Sequence, residues 1–206
     1  MLPVAFFRRP SPEVAPDLLN KVVVADGTRW ARIVEVEAYA EGDPASHAYR
    51  GPSIRNNVMF GPPGRLYVYF TYGMHWCANV VTGSAGEGEA VLIRAAEPLA
   101  GVAAMTTARG GSSIRDLCRG PARLAQALGI TGVDNGIVVA GRSARRVRLV
   151  DDGTPPPTTP GCGPRVGITK AADVPWRWWV ADSPWASTYK PGGRQGRSGR
   201  SRPDGP

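Results

Sequence analysis

The chain has 206 residues, 42% of them hydrophobic, with 26 Gly, 20 Pro and a formal net charge of +8 at pH 7. That length and composition fit one globular domain rich in turns and exclude wholesale disorder, and no apolar run approaches the roughly 18 residues a bilayer-spanning helix needs. The excess of 25 Lys and Arg over 17 acids points to a polyanionic partner, usually nucleic acid.

Along the chain, Met1 to Phe7 is apolar but precedes its arginines, the reverse of a secretory signal. A cytoplasmic protein is therefore expected, nucleoid-associated if bacterial. Residues 21–25 (KVVVA) and 30–39 (WARIVEVEAY) predict two strands joined through Asp26-Gly27, a hairpin signal. Residues 40–64 read as loop. A second, protruding hairpin follows, with strands at 66–71 (LYVYFT) and 74–81 (MHWCANVV) and a tip at Tyr72-Gly73. Residues 90–96 (AVLIRAA) predict another strand, and 99–108 and 121–128 (PARLAQAL) predict helices. The second helix has Pro in its first turn and Gly129 just past its end. Short strands are expected at 137–140 and 146–150. Residues 151–164, with five prolines, read as a surface loop, and 165–169 and 178–180 as returns to the sheet. The fold class is α+β: one domain over residues 1–189, with a curved antiparallel sheet as its core and helices packed around it. Residues 190–206 hold five cations, one acid and almost nothing apolar; they read as a basic disordered tail.

Three cysteines at wide spacing and two histidines make a structural zinc site a poor fit, and three reduced thiols suit the cytosol. No metal and no cofactor are expected. Side chains two apart on a strand share a face, so Glu35, Glu37 and Tyr39 stand together. Glu35 is read as exposed or paired with arginines. Glu37, beside an aromatic ring and a loop carrying His47, is a candidate general base. In the second hairpin, Tyr72 sits at the tip, where a bulky ring needs a partner; in a basic protein that partner can be a base stack entered as a wedge. Asn79, polar within an apolar strand, requires a hydrogen bond to backbone or to ligand.

The stretches VEVEAYAEGDPASHAYRG, RNNVMFGPPGRLYVYFTYGMHWCANVV, AVLIRAAEPLAG, LCRGPARLAQALGI, RVGI and VADSPWAS, in this order over roughly residues 4–189, closely resemble the alkyladenine (3-methyladenine) DNA glycosylases that lack a helix-hairpin-helix motif. The resemblance implies a catalytic trio: Glu37 as the base that deprotonates the attacking water, with Arg94 and the main-chain carbonyl of Val166 helping to hold that water. It further implies a base pocket of Tyr39, His47, Tyr69 and Asn79, the last disfavouring guanine through its exocyclic amino group. Tyr72 is implied as the intercalating wedge, flanked by Met74 and His75; some members carry a tyrosine where His75 stands.

The partner so implied is duplex DNA containing damaged purines, alkylated or deaminated. Such a base is extruded from the stack before its glycosidic bond is cut. None of the three lysines falls within the pocket motifs, so no Schiff base is expected and the enzyme is read as monofunctional, leaving an abasic site. A monomer is expected, with no membrane partner. Two other readings stand beside this one. A glycoside hydrolase would use Glu35 and Glu37 as its acid and base. A non-catalytic binder of damaged DNA would use the aromatic hairpin as a stacking platform.

Overall fold

The strand that carries the candidate base lies in the middle of the sheet. In the computed structural model, which describes residues 1–193, β1 (Val22–Ala25), β2 (Arg29–Tyr39), β3 (Leu66–Thr71), β4 (His75–Val81), β5 (Ala90–Ala100) and β6 (Val147–Val150) form an antiparallel sheet in the order β3-β4-β5-β2-β1-β6. The sheet is curled, and α1 (Ser11–Leu18), α2 (Val102–Ala108) and α3 (Pro121–Leu128) complete a single α+β domain. One edge of β2 pairs with β5 along its length. The other pairs first with β1 and then, at Glu35–Glu37, with β8 (Arg177–Trp179), which in turn pairs with β7 (Gly161–Gly163).

A register shift in β2 decides which way its glutamates face. Ala31 and Ile33 point into the main apolar cluster. Strict alternation would send Glu35 and Glu37 after them. The β2–β5 register instead shifts between Ile33 and Val36, and Val36 and Ala38 take over the core positions. This bulge reverses the parity of the strand. Glu35, Glu37 and Tyr39 thereby reach the opposite face, as their spacing predicts, where chain from beyond residue 164 covers them.

The core on the other face is closed by helices. Leu124, Ala125, Ala127 and Leu128 of α3 are fully buried, and α3 packs on β4 and β5. Leu18 and Val14 bring α1 onto β2. The long 40–64 connection holds only a 3₁₀ turn at Asn57–Phe60.

Several boundaries differ from the sequence-based expectations. The helix expected from Leu99 starts at Val102, because β5 continues to Ala100 and Gly101 turns the chain at φ 70°. Met74 belongs to the hairpin tip, not to the strand, as the ladder closes at Thr71–His75. Residues 137–140 form no strand. Val138 makes one isolated bridge to Arg65, between Gly136 and Gly141, both at positive φ. Residues 165–169 form a loop instead of returning to the sheet, with Gly167 at φ 75°. The Pro-rich segment does contribute a strand: at Gly161 the Trp179 ring lies so close that an added Cβ would sit 2.2 Å from it, so only glycine admits the pairing. Of the expected tail, residues 194–206 lie outside the described residues. No helix among the described residues is long and apolar enough to cross a membrane.

Candidate active site

Both glutamates of β2 are fully buried, so each must be matched by donors. Glu35 is saturated. Its Oε1 accepts from Arg94 Nε (3.0 Å), Arg177 Nε (2.7 Å) and the Ser187 hydroxyl (2.8 Å), and its Oε2 accepts from the Ser187 amide (2.6 Å). Burial alone would raise its pKa; the two guanidiniums and the Ser187 amide outweigh that and hold it below the ordinary 4.5. The arginine-paired reading of Glu35 is thus the observed one.

Glu37 is held differently. Its Oε1 receives the Val166 amide at 2.7 Å and lies 3.2 Å from Arg94 Nη1, while its Oε2 accepts from the Tyr39 hydroxyl at 2.8 Å. Arg94 therefore bridges the two carboxylates, one nitrogen to each. Val166 does reach the site, but the group touching Glu37 is its N–H. Burial first, and Glu37 second, push the Tyr39 phenol well above its ordinary 10.0, which keeps it a donor.

Next to this cluster, Tyr39, Ala45, His47, Met59, Tyr67, Tyr69, Asn79 and Ile168 line a cavity of about 120 Å³. His47 stands edge-on to Tyr69, with centroids 4.6 Å apart, and Tyr67 lies 5.7 Å from Tyr69. His47 Nδ1 and the Tyr67 hydroxyl share a 2.9 Å hydrogen bond. Burial, and then Arg55, lower the His47 pKa, so the imidazole is neutral at pH 7; burial pushes the Tyr67 phenol up to about 12. Asn79 donates Nδ2 to the Tyr67 carbonyl at 3.1 Å. Because that partner is an acceptor, the amide orientation is fixed, and Oδ1 is the end left for a ligand.

Three residues on from Tyr69, Tyr72 forms the hairpin tip. It is 85% exposed and left-handed, at φ 51°. Met74 beside it is 67% exposed. His75 pairs with Thr71 and, with Met74, borders a second hollow against α3. The structure thus places Tyr39, His47, Tyr69 and Asn79 around one cavity, joins Glu37 to it through the Tyr39 hydroxyl, sets Arg94 and Val166 behind Glu37 on a neighbouring hollow, and holds Tyr72, Met74 and His75 apart at the tip of the hairpin that carries Tyr69 and Asn79.

Sequence reasoning missed Tyr67, Arg177, Ser187 and the buried pair Asp43–Arg165. Tyr67 had a legible signal as one of the aromatic residues of the predicted hairpin, and in the observed register it pairs with Asn79. The others come from distant segments with no local pattern. Among the described residues no group of three or more His, Cys, Asp or Glu could hold a metal ion.

The methylpurine-DNA glycosylase family model matches residues 5–184. The chain belongs to this family. Relatives to which it is similar carry the name "Putative 3-methyladenine DNA glycosylase". One from Burkholderia lata is 54% identical over 189 residues, 91% of each chain. One from Rhodopseudomonas palustris is 51% identical, covering 88% of this chain and 85% of its own. One from Methanoculleus marisnigri is 47% identical, covering 90% of this chain and 98% of its own.

Proposed function

We propose that this chain removes damaged purines from duplex DNA by hydrolysis, acting as a monomer on a nucleotide rotated out of the helix. The observation that carries the reading is Glu37, fully buried at the side of the aromatic cavity, with three donors aimed at its oxygens. A purine held against Tyr39 and Tyr69 gains stacking, and a cationic alkylated purine gains a cation–π attraction as well. Its bond to C1′ is already weakened. A water beside Glu37 and Arg94 attacks C1′, the C1′–N electron pair leaves with the base, and the water's proton passes to Glu37. Alkylated purines such as 3-methyladenine and 7-methylguanine need nothing further. Neutral hypoxanthine must also gain a proton to leave.

Arg94 is neutralised by two carboxylates, so it orients Glu37 without opposing a developing oxocarbenium ion. Tyr72 is suited to fill the stack that the nucleotide vacates, its strained backbone holding the ring outward. Asn79 limits guanine by bulk, because the end it offers the cavity is an acceptor, which the guanine amino group would not repel. The glycoside-hydrolase alternative loses its acid, since Glu35 is buried, saturated and held deprotonated.

Lys21 is buried and paired with Asp151, and no lysine lines the base cavity; Lys190 borders the separate hollow of Arg94 and Val166. That supports a monofunctional enzyme. Incubation of the protein with duplexes carrying one hypoxanthine or one 7-methylguanine tests the proposal. Strand breaks that appear only after alkali are expected. Breaks before alkali would overturn the monofunctional reading, and base release from neither duplex would overturn the function.

A further inference from the structure

Arg165 is the largest fully buried side chain, 1% exposed, and takes no part in the chemistry above. Its guanidinium lies between two rings, 4.7 Å from the Tyr39 centroid and 5.5 Å from that of Trp176. Asp43 grips it in a two-pronged pair, with Nη2 3.0 Å from Oδ1 and Nη1 on Oδ2. Nη1 also donates to the Ala38 carbonyl at 3.0 Å, while Nε has no partner. Arg165 lies over the Tyr39 ring and is not among the residues that line the base cavity, whereas Tyr39 is.

A cation behind an aromatic wall opposes the wall's attraction for a cationic ligand in front of it. Here the opposing charge is cancelled by Asp43. We propose that the Arg165–Asp43 pair is a charge-balanced backing for Tyr39 that sets the preference of the cavity for cationic over neutral bases. The proposal rests on the reading of Tyr39 as a base-stacking wall. The same pair has a positioning role. It ties the 40–47 loop, which supplies Ala45 and His47, to the loop that supplies Ile168, and it precedes the Val166 amide that meets Glu37. Separating charge balance from positioning needs a readout in which general loosening cancels.

That readout is the ratio of dissociation constants for two duplexes. One carries 7-methylguanine, which is cationic, and the other carries neutral 1,N6-ethenoadenine, both on 2′-fluoro sugars that resist base loss. A base stacked in front of Tyr39 lies about 8 Å from the guanidinium carbon, so one uncompensated charge is expected to change the ratio by about tenfold. Asp43→Asn leaves the cation alone and should shift the ratio about tenfold against 7-methylguanine. Arg165→Gln leaves the carboxylate alone and should shift it in the opposite direction. Asp43→Asn with Arg165→Gln removes both charges and should restore the ratio.

Opposite signs for the two single variants support the proposal, and either one that folds, checked by thermal melting, is sufficient alone. An unchanged ratio, with both affinities falling together, would overturn it and leave only positioning. Failure of the underlying reading looks different: wild type would bind neither lesion above undamaged duplex, or Tyr39→Ala would leave both affinities intact.

Discussion

At the scale of single residues, the two glutamates of one strand end up with opposite fates because of their partners. Glu35 has four donors, two of them guanidiniums; Glu37 shares one guanidinium and takes the hydroxyl of the cavity-lining Tyr39. Removing the Glu35 charge strands Arg177 and leaves Arg94 with Glu37 alone, both about 95% buried, so Glu35→Gln is expected to lower stability by about 3–5 kcal/mol in urea unfolding at pH 7. The pH dependence follows from the same contacts. A carboxyl whose pKa is lower in the folded state stabilises fully above its ordinary 4.5 and loses that contribution as pH falls below it. Melting temperature of the wild type should therefore drop below pH 4.5, and the drop should be shallower in Glu35→Gln. Equal slopes would show that Glu35 is not the group responsible.

At the scale of elements, the second hairpin does two jobs: its strands wall the cavity through Tyr67, Tyr69 and Asn79, and its tip holds Tyr72 outward. A non-glycine residue at φ 51° carries strain of about 1–2 kcal/mol. Tyr72→Gly should therefore leave stability unchanged or raise it by up to about 1 kcal/mol, while weakening binding to lesion-bearing duplex by at least about tenfold. Calorimetry and fluorescence anisotropy on the same samples check both halves. Loss of stability without loss of binding would make Tyr72 a packing residue.

This hairpin was legible in the sequence except for Met74, which joins the tip, because alternation, β-branched residues and a Tyr-Gly tip all agree. The α1 helix was not. No helix was expected there, where three prolines stand in seven residues; Pro12 occupies the first turn, where no amide is needed, and only Pro16 lies inside. The face shared by Glu35, Glu37 and Tyr39 was legible, but the β2 bulge that keeps it out of the core was not, because alternation alone does not reveal a register shift. Of the arginines that complete the site, Arg94 was legible only through the family resemblance, and Arg165 and Arg177 not at all. Arg94, Arg165 and Arg177 are selected by burial and by partners 59, 122 and 142 residues away, and no local pattern encodes that.

At the scale of the whole molecule, the charge is distributed unevenly. Residues 194–206 carry four arginines and one aspartate out of a net +8. Binding driven by phosphate neutralisation weakens with salt, by about a hundredfold between 50 and 200 mM when four phosphates are involved. Removing residues 194–206 should flatten that salt dependence for undamaged and damaged duplex alike. The preference for the lesion, which belongs to the cavity, should stay unchanged. A truncation that alters lesion preference but not the salt slope would assign those residues to recognition instead of to the backbone. The central claim is that Glu37 activates water for a base held against Tyr39. It is tested most directly by single-turnover kinetics of wild type and Glu37→Gln on a duplex with one 7-methylguanine, with binding followed in parallel. The account predicts a rate loss of about 10²–10⁴-fold with affinity for the lesion retained. Base release by Glu37→Gln at the wild-type rate would contradict it.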